Sequence, residues 1–265
     1  MRVKAPRPPA VSVRSDDRGS MPMSGAAAAM LVEHLFTPGQ QELPGIEYAV
    51  EYKLAEGRAG GDIVDVYEFD NESVAFSVAD ISGKGVQAAV HAAMVKYGLR
   101  AYASVGFVAE KVLQALDRLY LENNAYEQRE SFATAFFGHV DKERKTMIYA
   151  SAAHDCVVMA RPGERPSTLE VTAPLIGVFE DQQELFHQRI VNIEPGCVLV
   201  AVTDGVTEAR RLGQELFGMQ RLCDIVDRAR HQSMAELARL IVEQSVAFCG
   251  DRAHDDMAVL AARFS

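Results

Sequence analysis

Five aspartates carry the chemistry this sequence can do. Asp62 follows Gly60 and Gly61, Asp80 leads into the loop Ile81-Ser82-Gly83-Lys84-Gly85, Asp204 is followed by Gly205, and Asp255 and Asp256 open the last apolar run. Each lies where an apolar run meets a loop. The first three have a glycine within three positions, which lets backbone and ligand approach closely. Any one of them alone is more often a turn residue than a ligand. If the strand ends converge, four or five carboxylates meet and could not all stay ionised without compensation. Hard divalent cations would compensate them, and oxygen donors suit Mg²⁺ or Mn²⁺ rather than zinc. Two ions bridged by one carboxylate would make a two-metal hydrolytic site.

Other chemistries fit the string less well. Gly85 stands where a Walker A loop needs Ser or Thr, so Ser82-Gly83-Lys84-Gly85 is not that loop. A cysteine phosphatase needs Arg six positions after its Cys. The residues there are Pro162, Thr203, Ala229 and Asp255, and no GxSxG elbow is present for a serine hydrolase.

The elements that must hold these aspartates read as blocks. Strands are expected at 46–55, 63–69 and 73–79, with Asp70-Asn71-Glu72 as a hairpin turn between the last two. A helix follows from about 86, with Ala88, Ala92, Val95, Leu99 and Tyr102 on one face. A second, adjacent and antiparallel, is expected at 107–122 with Val108, Val112, Ala115, Leu116 and Leu119 as its buried stripe. Strands resume at 132–140, 146–152, 156–161, 186–193 and 197–203. The run Cys197 to Val202 is apolar throughout, as in a strand buried on both faces. Helices are expected near 218–230 and from Ser233, where Ser233-Met234-Ala235-Glu236 fits a capping box, and a final strand at 257–264. Strands and helices segregated this way favour an α+β fold with antiparallel sheets over a doubly wound one.

Composition sets the outer bounds. With 265 residues, 48% hydrophobic and 24% charged, the chain can bury a sizeable core. The formal charge of −10 argues against a nucleic-acid binder. Cys156, Cys197, Cys223 and Cys249 form no CxxC pair, which points to reduced thiols and a cytoplasmic protein rather than a disulfide frame or zinc site. No apolar run reaches the ~18 residues of a membrane span, and no signal peptide or membrane association is expected. Residues 1–22, rich in Pro and Arg, read as a disordered basic tail. Residues 23–43 read as a short helix (24–36, capped by Ser24) and linker, and 44–265 as the folded domain.

The ordered set GGDIVD (60–65), VADISGKG (78–85), SAAH (151–154), PLIGV (174–178), PGCVLVAVTDGVTEAR (195–210), LFG (216–218) and HDDMAVL (254–260) resembles the PPM family of metal-dependent protein serine/threonine phosphatases, in its SpoIIE/RsbU-like branch. The likeness covers about residues 44 to 264. It implies an αββα sandwich, two antiparallel β-sheets flanked by helix pairs. It implies that Asp80 bridges two divalent cations, Mn²⁺ or Mg²⁺, and that Ile81 offers one of them its backbone carbonyl. Asp204 and one of the terminal pair, Asp255 ahead of Asp256, would complete the other ion. Asp62 would hold metal-bound waters or an ion itself. Asp62, Asp80 and Asp204 would thereby be catalytic through a metal-activated water. Arg58, Ser82 and Lys84 are candidate substrate contacts. The chain departs from the family at Ser151-Ala152-Ala153-His154, where Asn-Ala-Gly-His is frequent, and at Ala258, usually Ser or Thr. Ser82 stands where eukaryotic-type members carry a histidine, which leaves the general acid open between His154 and Lys84. His91 reads as packing, and Glu208 and Arg210 as either rim structure or substrate contacts.

The activity so implied is dephosphorylation of phosphoserine or phosphothreonine on a regulatory protein. By analogy with that branch the substrate is an anti-anti-sigma-type STAS protein in a bacterial partner-switching pathway. Two rivals are a catalytically silent binding module of the same fold and a two-metal hydrolase of a small phosphoester. The apolar content of 24–36 points to docking, possible homodimer formation included, or to packing on the domain.

Overall fold

Alternate residues of the central run Cys197–Val202 enter two different cores. Cys197, Leu199 and Ala201 pack with Val64, Phe76 and Leu260, while Val198, Val200 and Val202 pack with Leu222, Ile225 and Ile241. A strand apolar on both faces thus lies between a second sheet and a layer of helices. A computed structural model describes residues 43–54, 61–70, 73–83, 86–106, 108–127, 130–141, 145–211, 215–250 and 255–265. The expected tail at 1–22, the helix at 24–36, Arg58 and Lys84 lie outside the described residues.

Among those residues the strands are β1 (Ile46–Lys53), β2 (Ile63–Asp70), β3 (Ser73–Ile81), β4 (Ala133–Asp141), β5 (Thr146–Ala152), β6 (Val157–Ala160), β7 (Ser167–Thr168), β8 (Arg189–Asn192), β9 (Val198–Val202) and β10 (Met257–Phe264). The helices are α1 (Val86–Ser104), α2 (Ala109–Glu127), the single turn α3 (Asp204–Thr207), α4 (Gly218–Ala229) and α5 (Met234–Phe248), with a short 3₁₀ turn at Gln183–Leu185. One sheet runs β1-β10-β9-β6-β7 and the other β2-β3-β4-β5-β8, antiparallel throughout. The last strand therefore sits between β1 and β9, inside its sheet. One core fills the space between the sheets, one lies under α1 and α2, and one lies under α4 and α5. This is the α+β fold with antiparallel sheets that the block pattern implies, and the four-layered sandwich that the family resemblance implies.

Strands β5 and β10 fall on their expected bounds, and β2 pairs with β3 from Ile63↔Ala79 to Asp70↔Ser73, as the hairpin reading requires. The capping box at α5 is present: Ser233 Oγ accepts from Glu236 N at 3.2 Å, and Ser233 N donates back to the Glu236 carboxylate at 3.1 Å. The stripe on α2 differs from expectation. Val108 is exposed, Ala115 and Leu119 are half-buried, and Ala109, Val112, Leu113, Leu116 and Tyr120 form the buried face. The helix starts one residue after Val108, whose carbonyl accepts from Val112 N at 3.0 Å, so the inward face is set from Ala109. Strand β3 also runs on to Ile81, which makes Asp80 part of the strand. All four cysteines are unpaired. Among the described residues no helix is long and apolar enough to cross a membrane.

Candidate metal centre

Two glycines bring the strand ends together. β2 begins opposite the end of β3, and a Cβ on Gly61 would lie 2.5 Å from the carbonyl oxygen of Ile81. On the other sheet, a Cβ on Gly205 would lie 1.9 Å from the backbone oxygen of Asp256. Neither position admits a side chain without moving backbone, so the loops carrying Asp62 and Asp204 close on those carrying Ile81 and Asp256. Asp204 opens α3 immediately after β9, and Asp255 and Asp256 precede β10, the neighbour of β9.

One hydroxyl ties the sheets together at this end. Thr203 Oγ1 donates to the Asp62 carboxylate at 2.6 Å and accepts from Ala258 N at 2.9 Å, while Thr203 N donates to Ala258 O at 3.0 Å. The sequence reading passed over Thr203. Its signal was available: it is a polar residue directly after five apolar strand residues and directly before Asp204.

The electrostatics report the convergence. Burial is the first cause that raises Asp62 well above the ordinary carboxylate range. Asp80 raises it next, the Thr203 hydroxyl opposes the rise, and Asp256 and Asp204 add to it. Asp80 is pushed up to about 7 by burial, then by Asp204 and Asp255. A hydrogen bond shared with Asp62 opposes this and Asp256 adds to it. Asp204 is raised by burial, then by Glu208 and Asp255. Asp80 thus feels all four other carboxylates, while Asp62 feels Asp256 and Asp204 feels Asp255. Carboxylates that hold protons near neutrality for want of a countercharge fit divalent cations with oxygen preference. Among the described residues no group of three or more His, Cys, Asp or Glu side chains is arranged to hold a metal ion. A cation here would need further oxygen donors, such as the Ile81 carbonyl and water.

The remaining candidates fall into place around this cluster. His154 is buried, with Thr134 Oγ1 at 3.0 Å from Nδ1, and Thr134 is the register partner of Asp80 on β4. Burial pushes its imidazole down to about 4. Ser82 Oγ accepts from Phe132 N at 2.9 Å and so holds its own loop. His91 packs as expected, with Nδ1 3.0 Å from Ser131 Oγ and its ring edge-on to Tyr120. Arg210 pairs with Glu208 at 3.5 Å on an exposed rim, and the Arg211 guanidinium lies 5.7 Å from the Phe248 ring centre, over the end of α5. Asp155, which the sequence reading did not single out, adds to the rise at Asp204.

Two antiparallel sheets between helical layers, with five aspartates gathered at one end, define the PPM-type, PP2C-like class of domain. Within it the chain belongs to the family described as stage II sporulation protein E (SpoIIE), whose model matches residues 70–265. It is 27% identical over 210 residues to phosphoserine phosphatase RsbU of Bacillus subtilis, covering 75% of this chain and 58% of that protein. It is 26% identical over 226 residues to protein IcfG of Synechocystis, covering 76% of this chain and 35% of that protein. The chain thus spans little more than half of one of these relatives and about a third of the other. Among solved structures, the PP2C domain of SiaA from Pseudomonas aeruginosa superposes with a TM-score of 0.71 at 21% identity, covering 82% of this chain and 86% of that one. The RsbU and RsbW domains of Rv1364c from Mycobacterium tuberculosis give 0.71 at 24% identity, covering 84% and 60%. A structure of RsbX in complex with magnesium gives 0.61 at 19% identity, covering 85% and 98%. These structural likenesses bear on the fold.

Proposed function

We propose that this chain is a cytoplasmic, metal-dependent phosphatase that removes phosphate from phosphoserine or phosphothreonine on a regulatory protein. The proposed substrate is a STAS-type anti-anti-sigma factor. The observation that carries the reading is the position of Asp80 among Asp62, Asp204, Asp255 and Asp256. Asp80, Asp62, the Ile81 carbonyl, Asp204 and Asp255 or Asp256 would hold the cations, with Asp80 as the residue they would share. When bound, divalent cations supply the positive charge that a phosphoryl group needs and make water a better nucleophile at neutral pH. The chain's own groups do the rest. Thr203 fixes one oxygen of Asp62, and Gly61 and Gly205 hold the two loops at contact distance; Asp80 would have to be ionised to hold a cation. His154 stays neutral and enclosed, so it serves as a hydrogen-bonding support for Thr134 rather than as a general acid. The names of RsbU and RsbP of Bacillus subtilis as phosphoserine phosphatases support the reaction class. The STAS substrate rests on analogy with that branch.

The test is turnover of p-nitrophenyl phosphate and of a phosphorylated STAS protein, with Mn²⁺, with Mg²⁺ and with EDTA. Turnover of both substrates with either cation and none with EDTA is expected. Full activity in EDTA refutes the reading, and turnover of the small ester alone refutes the protein substrate.

A further inference from the structure

The end of the sheet that carries Asp80 also presents large apolar side chains to solvent. Phe132 is 45% exposed, Val178 41% and Phe179 59%. Backbone bonds fix where they lie. Ala133 and Ile176 exchange both hydrogen bonds, at 3.2 and 3.1 Å, which sets Phe132 and Gly177 side by side beyond the start of β4. Ser82 N donates to Phe132 O at 2.9 Å, and Phe132 N donates to Ser82 Oγ at 2.9 Å. Phe132 is thereby locked to the residue two places after Asp80.

The loop beyond Ile176 is held from below by α2. The buried Asp117 accepts from Gly177 N at 2.9 Å and from Gln183 Nε2 at 2.8 Å. Asn124 Nδ2 donates to Ser131 O at 2.6 Å and to Gly177 O at 3.1 Å, so one amide joins the two segments that carry the apolar side chains. Gly177 has φ of +83°, and a Cβ there would lie 2.7 Å from the Tyr120 ring and 2.9 Å from Ser131 O. The loop is therefore hydrogen-bonded to α2 at both edges, while Val178 and Phe179 at its crest stay outside the core. Anchors held still before contact lose little freedom on binding. Exposed carboxylates, Glu130, Glu180 and Asp181, border these side chains in sequence.

We propose that Phe132, Val178 and Phe179 form the docking surface for the folded phosphoprotein substrate, an inference that rests on the hydrolase reading. The occupant is a protein whose phosphorylated Ser or Thr lies beside an apolar patch fringed with basic side chains. Continuity argues for this occupant. A protein that delivers its phosphoryl group to Asp80 must lie against the segment bonded to Ser82, and that segment is where the apolar side chains stand. Charge argues for the basic fringe, because like charges across an interface exclude wrong partners.

The test compares wild type, Phe179→Glu and Ile190→Glu in the full chain with Mn²⁺. Ile190 is 63% exposed on β8, the far edge of the same sheet, and controls for an added surface charge. For Phe179→Glu, kcat/KM on a phosphorylated STAS protein falls at least tenfold, mainly through KM, while p-nitrophenyl phosphate turnover stays within twofold. Ile190→Glu changes neither. An unchanged kcat/KM on the protein, an equal loss on both substrates, or the same loss in Ile190→Glu overturns the docking surface. Absence of any turnover by wild type refutes the hydrolase reading instead. Docking is then read by titrating the phosphoprotein into wild type and Phe179→Glu, where tenfold weaker binding by the variant supports it and equal affinities overturn it.

Discussion

Asp62 and Asp65 are three residues apart at the start of β2, and both are buried. Asp65 is answered within the chain. Arg100 of α1 grips it with two hydrogen bonds, 2.5 Å from Nε and 2.7 Å from Nη2, and Lys96 Nζ lies 3.5 Å away. The Arg100 guanidinium also lies over the Tyr67 ring at 4.5 Å. Asp62 meets a hydroxyl and three further carboxylates, Asp80, Asp256 and Asp204, and is driven toward protonation. Burial alone does not distinguish the two aspartates. The countercharge does: α1 brings it to one, and on the proposed reading divalent cations would bring it to the other. A buried acid that supports a fold and a buried acid that serves a site are told apart by which of them the protein neutralises itself.

The sharpest way to break this comparison is to remove a charge from each group. Asp80→Asn or Asp204→Asn brings turnover below about one thousandth of wild type, because the carboxylates that hold the cations are lost. In EDTA the same variants melt no lower than wild type, since repulsion is relieved, as calorimetry checks. A clear loss of metal-free stability in either variant contradicts the site reading. Asp65→Asn behaves in the opposite sense. It removes the anion that Arg100 and Lys96 share and costs about 3–5 kcal/mol in denaturant unfolding, with or without Mn²⁺. Equal stability of Asp65→Asn and wild type would show that the network does not need its anion.

A smaller effect is expected from pH. The folded state raises Asp80 from 3.8 to about 7, and Asp62 rises as well, so the folded protein binds more protons than the unfolded chain between those values. Metal-free stability is therefore highest below the unfolded carboxylate pKa and falls as pH climbs through the interval toward 7. The loss is on the order of 2–3 kcal/mol after allowance for partial exposure of Asp80. Saturating Mn²⁺ flattens the slope. Urea unfolding at pH 5 and pH 7.5 reads this directly, and a metal-free protein more stable at the higher pH contradicts it. The smallest effect is that of Thr203→Val. It removes the hydroxyl from Asp62 and from Ala258 N, costs about 1–2 kcal/mol, and raises the Mn²⁺ concentration needed for half-maximal turnover. An unchanged Mn²⁺ requirement would confine Thr203 to the fold.

How far the sequence could be read follows the range of the interactions involved. The capping box closes within four residues, and the unbroken apolarity of β9 and of β10 from Met257 to Ala262 reflects burial on both faces, so their elements were legible. The aspartates were legible as candidates because they stand where apolar runs meet loops, and because Asp62, Asp80 and Asp204 have a glycine within three positions. Their arrangement around Asp80 was not, since it depends on two sheets meeting. Thr203 reaches Asp62 across 141 positions, and Arg100 reaches Asp65 across 35. No local period records either pairing. The α2 stripe was misplaced because Val108 is apolar and in phase but lies just before the helix starts. Asp117 and Asn124 went unnoticed because a polar residue on a helix reads as solvated until the loop it holds is known.

The place of β10 between β1 and β9 has a consequence for the order of events during synthesis. Strand β1 is among the first parts of the domain to leave the ribosome, yet its sheet partner among the described residues is made some two hundred positions later. Until then β1 and β9 each present an open edge, and pairing across so long an intervening chain is slow to form. Asp255 and Asp256 arrive with that same strand. The nascent chain is thus unable to gather its acidic cluster before its first sheet can close, and competence at the site arrives together with completion of the fold.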